Sequence, residues 1–89
     1  MVFIYKREWF YGFWMKNTLI PLAMIWIDGS GVIAHIEPNA EPCGSTTEAD
    51  SGCRTYRPKK PAKYILETNP ESAKGLAVGM KIRSSPPLP

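Results

Sequence analysis

Histidine occurs once in this chain, at His35, and cysteine only at Cys43 and Cys53. A zinc site needs four ligands at short spacings, so these residues argue against one. No glycine-rich nucleotide loop is visible, and no Ser, Cys or Thr is spaced with a base and a third, orienting group as nucleophilic catalysis requires. No cofactor motif is present. Long apolar runs are also missing: the longest, Leu19 to Ile27, is too short to span a bilayer and contains Pro21. At the N-terminus Met1-Val2-Phe3-Ile4-Tyr5 meets Lys6, Arg7 and Glu8 before an apolar region develops, so no signal peptide is expected. The net charge of +3 is mild. The densest basic stretch holds Arg54, Arg57, Lys59, Lys60 and Lys63, with thin aromatic interleaving, and reads as a solvated loop rather than a nucleic-acid surface.

What is present argues for β structure. At 89 residues one small domain over 1–83 is expected, with marginal stability unless a further constraint is added. A hydrophobic share of 44% with three tryptophans suffices for a packed core, while nine prolines and seven glycines cut the chain into pieces too short for long helices. Val2 to Tyr5 reads as a strand ended by the charged Lys6-Arg7-Glu8 turn. Gly12, among aromatics, marks a bulge or a close backbone approach. Leu22 to Ile27 is apolar at every position, as in a strand buried on both faces, and Asp28-Gly29-Ser30-Gly31 turns it into a second strand, Val32 to Glu37. In that strand Val32, Ala34 and Ile36 alternate with Ile33, His35 and Glu37. Pro38 to Ala62 reads as a long connection, Tyr64 to Glu67 as a strand, and Lys81 to Arg83 as a last strand. Asn69 caps a short helix with Pro70 in its first position, ended by Gly75. The Pro-rich tail 84–89 is expected to be disordered. The fold class expected is all-β, a sandwich or small barrel of short antiparallel strands with one short helix near Asn69–Gly75.

Cys43 and Cys53 bracket GSTTEADSG, which buries too little apolar surface to order itself. A disulfide is favoured over two free thiols, with metal last. It would contribute about 2–3 kcal/mol by loop entropy and would place the protein in an oxidising, extracytoplasmic compartment.

One run stands out. GFWMKNTLIPL, Gly12 to Leu22, sets Lys16, Asn17 and Thr18 between two apolar blocks. With the apolar strand, Asp-Gly turn, second strand, cysteine-containing loop and PAKYILE that follow, it resembles the family known as domain of unknown function 192, over roughly Phe13 to Arg83. The resemblance implies an all-β fold in a family that is often bacterial or archaeal, often exported, and without an established activity. Three departures follow from it. The family usually has an aspartate where this chain has Ala23, a glycine and an acidic residue where Glu71 and Met80 stand, and a longer segment before the motif, so the N-terminal strands are expected to be shortened or replaced.

The candidate site is Trp14, Lys16, Asn17, Thr18, His35 and Glu67. In the plainer reading Asn17 and Thr18 satisfy backbone groups at a turn while Lys16 passes Trp14. In the functional one Trp14 stacks a ligand and Lys16 and Asn17 hydrogen-bond it. His35 near Glu37 reads first as a surface pair, and Glu67 would reach Lys16 if their strands were neighbours. The leading expectation is therefore a non-enzymatic, extracytoplasmic domain binding a small ligand or a protein. The alternatives are a hydrolase-like enzyme on small polar or glycan substrates using His35 or Glu67, and an interaction module that dimerises through an open sheet edge.

Overall fold

The computed structural model describes residues 1–16, 18–43 and 53–83. Its strands are β1 (Val2–Trp9), β2 (Leu22–Ile27), β3 (Ile33–Ala40) and β4 (Ala62–Thr68), followed by a 3-10 turn, Pro70–Ala73. All pairings are antiparallel, and the four strands form one sheet in the order β1-β4-β2-β3. The expected all-β class with one short helical turn is what the structure shows. Its form is one sheet, with irregular chain packed against both faces.

That arrangement follows from the apolar pattern. β2 is central, and Ala23 to Ile27 are all buried, so an unbroken apolar run satisfies two faces at once. Met24 and Trp26 point to a first face, where they meet Met15, Ala40, Tyr56, Ala62 and Ile65. Ala23, Ile25 and Ile27 point to a second face with Ile33, Tyr64 and Ala73. The second face is closed by the chain after β4. Asn69 caps the 3-10 turn by accepting from the Ser72 amide at 2.8 Å, and Gly75 follows at φ +87°, a backbone state that glycine enters without steric cost.

Several boundaries differ from the sequence reading. β1 runs through Lys6, Arg7 and Glu8 to Trp9 rather than turning there, with a register irregularity between Ile4 and Trp9. β3 continues past Pro38 to Ala40, and it tolerates proline because it is an edge strand. The alternation grouped Ile33 with His35 and Glu37. A register shift between Trp26 and Ile27 instead places Ile33 in the second-face cluster, beside Ile36. Lys81 to Arg83 forms an isolated bridge, Val32 to Lys81, rather than a strand. The 84–89 tail lies outside the described residues, as does the loop interior 44–52.

Both sheet edges carry features that oppose pairing with another chain. Around the start of β3, the Ile33 amide donates to the Met80 carbonyl at 2.8 Å and the Gly79 amide to the Ile33 carbonyl at 2.9 Å. Farther along, Pro38 removes a donor. On β1, Lys6, Arg7 and Glu8 place charges in the irregular stretch, although Val2 and Ile4 remain exposed.

Candidate functional site

The first face is covered by two extended segments. Residues 13 and 56 form a one-rung antiparallel bridge, with the Phe13 amide donating to the Tyr56 carbonyl at 2.9 Å and the Tyr56 amide to the Phe13 carbonyl at 2.7 Å. A two-residue period follows from this rung. Phe13, Met15, Tyr56 and Pro58 turn toward the sheet, whereas Trp14, Thr55, Arg57 and Lys59 are exposed. Gly12 is required by the crossing. A Cβ there would lie 2.7 Å from Thr55 Cγ2 and 3.2 Å from the Tyr56 carbonyl oxygen, so the expected close approach is present. Arg57 lies across this glycine and donates from Nη1 to the Phe10 carbonyl at 3.2 Å. Below, the Trp26 indole donates to the Tyr11 carbonyl at 2.8 Å, and the Tyr5 and Tyr11 rings stack at 3.6 Å. Burial, with the neighbouring Tyr11 phenol second, pushes the Tyr5 hydroxyl pKa up.

Of the motif residues, Met15 is the structural centre. Its side chain is buried, and its carbonyl accepts from Thr18 at 3.2 Å and from Cys43 at 3.1 Å. The Thr18 bond joins backbone to backbone, a turn at the point where the plainer reading had the Asn17 and Thr18 side chains satisfy backbone groups. Lys16 bridges to Cys43 through its backbone and sets its ammonium 5.4 Å from the centre of the Trp14 ring, a cation–π contact. Trp14 is 50% exposed, and the motif continues into Leu19 and Ile20, at 88% and 59%. Asn17 lies outside the described residues.

Cys43 and Cys53 are joined by a disulfide, as favoured from the sequence. The bond ties together two walls of a shallow depression of about 190 Å³, lined by Met15, Glu41, Pro42, Cys43, Arg54 and Tyr56. Sequence reasoning missed Arg54 and Tyr56 as lining residues. The usable signal was Cys53-Arg54 directly beyond the staple. Arg54 places its guanidinium 4.2 Å from the Tyr56 ring centre and 4.0 Å from a Glu37 carboxylate oxygen. Glu41 on the opposite wall accepts from the Asn39 side-chain amide at 2.6 Å.

The remaining predicted residues are on the same face but on separate strands. His35 pairs with Trp26, and Glu67 with Met24, so β2 lies between them. Two strand spacings and the two-residue stagger along β2 put their backbones about 12 Å apart. His35 packs edge-on to the Trp26 ring at 5.4 Å. Burial lowers its pKa, and Lys59 lowers it further, while Glu37 acts in the opposite direction. Lys16 is on the covering segment, not on a strand beside β4, so the condition set for its pairing with Glu67 is not met. Ala23, where the resemblance implies an aspartate, is wholly buried in the second-face cluster, on the side of the sheet away from Trp14 and Tyr56. Among the described residues no group of three His, Cys, Asp or Glu side chains is placed to hold a metal, and no helix is long and apolar enough to cross a membrane.

Residues 13–16, Cys43 and Tyr56 therefore cover one side of the sheet to which the PAKYILE strand belongs. The family model for uncharacterised proteins of this kind, DUF192, matches residues 1–84. The chain belongs to the DUF192 family. Among solved structures, this DUF192 chain is similar to a Sinorhizobium meliloti protein described as a candidate transcription regulator, at 30% identity and a TM-score of 0.74. The match covers 91% of this chain and 58% of that one. No curated protein matches the chain.

Proposed function

We propose that this chain is a non-enzymatic binding domain of an oxidising, extracytoplasmic compartment, and that it holds a protein partner on the surface formed by Trp14, Lys16 and the bridged 54–59 segment. The observation that carries this reading is the exposure of Trp14, Leu19 and Ile20 within one short stretch anchored by the buried Met15. Solvated indole and branched aliphatic side chains held on a fixed backbone suit a protein interface. The adjoining depression, about 190 Å³, is smaller than the roughly 300–1,000 Å³ of small-molecule pockets and suits one inserted side chain. The separation of His35 from Glu67 supports binding over acid–base chemistry. The Cys43–Cys53 bond supports the compartment, since such bonds persist where thiols are oxidised. The regulatory role named for the Sinorhizobium protein belongs to a chain of which this one spans 58%, and it is not carried over.

A displayed random-peptide library tests the reading. Peptides retained by the wild-type domain should be released by Trp14→Ala, which removes an exposed side chain and leaves the core intact. Binders indifferent to Trp14→Ala and to Leu19→Ser, or the absence of binders, would overturn it.

A further inference from the structure

The alternation set by the Phe13–Tyr56 rung sorts the covering segments by charge as well as by burial. Tyr56 and Pro58 turn in, while Arg57 and Lys59 turn out beside the exposed Trp14, with Lys16 over its ring. No carboxylate occurs from Cys53 to Ala62, and Arg54, Arg57, Lys59 and Lys60 are all exposed there. Among the described residues, the acids by the depression are Glu37, which faces Arg54 at 4.0 Å, and Glu41, in its lining, which accepts from Asn39 at 2.6 Å. Among the described residues, the outer surface of the 54–60 segment is thus cationic beside the Trp14 indole, and it borders a small cavity lined by Met15, Glu41, Pro42, Cys43, Arg54 and Tyr56.

We infer that the partner is an acidic, extended peptide segment that lays carboxylates along Arg57 and Lys59 and inserts one apolar side chain beside Met15 and Tyr56. This rests on the partner-binding reading above and adds the partner's chemistry. Charge complementarity selects the acidic residues. The cavity favours a peptide over a single-stranded nucleic acid, because a recess lined by Met15, Pro42 and Tyr56 together with Glu41 and Arg54 takes one side chain, whereas strand binding uses several aromatics to stack successive bases. Arg54, seated on the Tyr56 ring and facing Glu37, is held in a fixed position at the cavity's edge.

The test uses the disulfide-intact chain and four probes: a short Glu/Ser peptide with one central Phe, the same peptide with Ala for Phe, its Lys/Ser counterpart, and an oligothymidylate. Binding is followed by amide shifts of residues 12–16 and 53–59. The Glu/Phe peptide should bind and move both segments. Its affinity should fall about tenfold or more for the exposed-site variants Arg57→Glu and Lys59→Glu, and fall again with added salt. The Lys peptide should not bind, and the Ala peptide should bind more weakly. Equal binding of the Glu and Lys peptides would overturn the acidic chemistry while leaving the partner surface standing. Tighter binding of the oligonucleotide at matched salt would overturn it in favour of nucleic acid. Silence of every peptide probe, together with a failed library selection, would overturn both readings.

Discussion

The two faces of the sheet share strands but are held by different means. The second face is aliphatic: Ile25, Ile27 and Ile33 pack under the Asn69-capped turn, with Leu76 and Ile82 at the margin. Its cover follows β4 directly in sequence, so closing it costs little loop entropy. The first face is aromatic and hydrogen-bonded. Trp26 reaches the Tyr11 carbonyl, Phe13 and Tyr56 share a rung, and the cover is assembled from residues around 13, 43 and 56. Segments so far apart need a tie, and the Cys43–Cys53 bond supplies it. The lesson is that the face needing a covalent staple is also the face that displays Trp14, Arg54 and the depression. A site built on distant segments needs a covalent tie to hold its shape.

This comparison can be broken in five places. The largest effect is expected at Trp26, the largest fully buried side chain: Trp26→Ala should cost about 3–5 kcal/mol in urea unfolding, against about 0.5–1.5 kcal/mol for Ile25→Val on the second face. Equal losses would remove the asymmetry. Replacing both Cys43 and Cys53 by serine should cost about 2–3 kcal/mol. Hydrogen exchange should then quicken at the Phe13 and Tyr56 amides and stay unchanged at Ile33 and Gly79, whose bonds join the edge of β3 to the chain that follows β4. Gly12→Ala should destabilise by about 1–3 kcal/mol, because its methyl would press on Thr55 and the Tyr56 carbonyl. Asn69→Ala, which removes the cap of the 3-10 turn, should cost about 1 kcal/mol, read in the same unfolding assay.

The smallest effect is a pH dependence. The pKa of His35 is lower folded than unfolded, so between those two values the unfolded chain binds more protons. Its contribution to stability is full above the unfolded value of about 6.5 and declines as pH falls toward the folded value. His35→Gln should flatten that part of the stability profile measured by thermal unfolding, and an unchanged slope would show that His35 is not responsible.

Much of the fold is legible in local pattern. The apolar run Leu22 to Ile27 reads as doubly buried because only a central strand needs apolar groups at every position. Asp28-Gly29-Ser30-Gly31 reads as a turn, and here the Asp28 carboxylate accepts from the Ser30 and Val32 amides at 2.9 and 3.0 Å. Asn69-Pro70 reads as a helix start because capping is local. The resemblance at FWMKNT likewise pointed to the family that the whole-chain match supports. Less legible were the length of β1 past its charged residues, the strand position of Pro38 and the side taken by Ile33. Each depends on which strand is an edge and where a register shifts, and pairing, not propensity, decides both.

The candidate site divides the same way. The sequence by itself marked Trp14, Lys16 and the cysteine pair, because their residue types and spacing carry chemical meaning without a partner in space. Tertiary structure alone decided that Arg54 and Tyr56 line the depression with Met15, that β2 separates His35 from Glu67, and that Ala23 is buried on the other side of the sheet. Those outcomes depend on contacts between residues tens of positions apart. Their positions follow from strand order and from which face each segment covers, and neither is encoded in any short stretch of the chain.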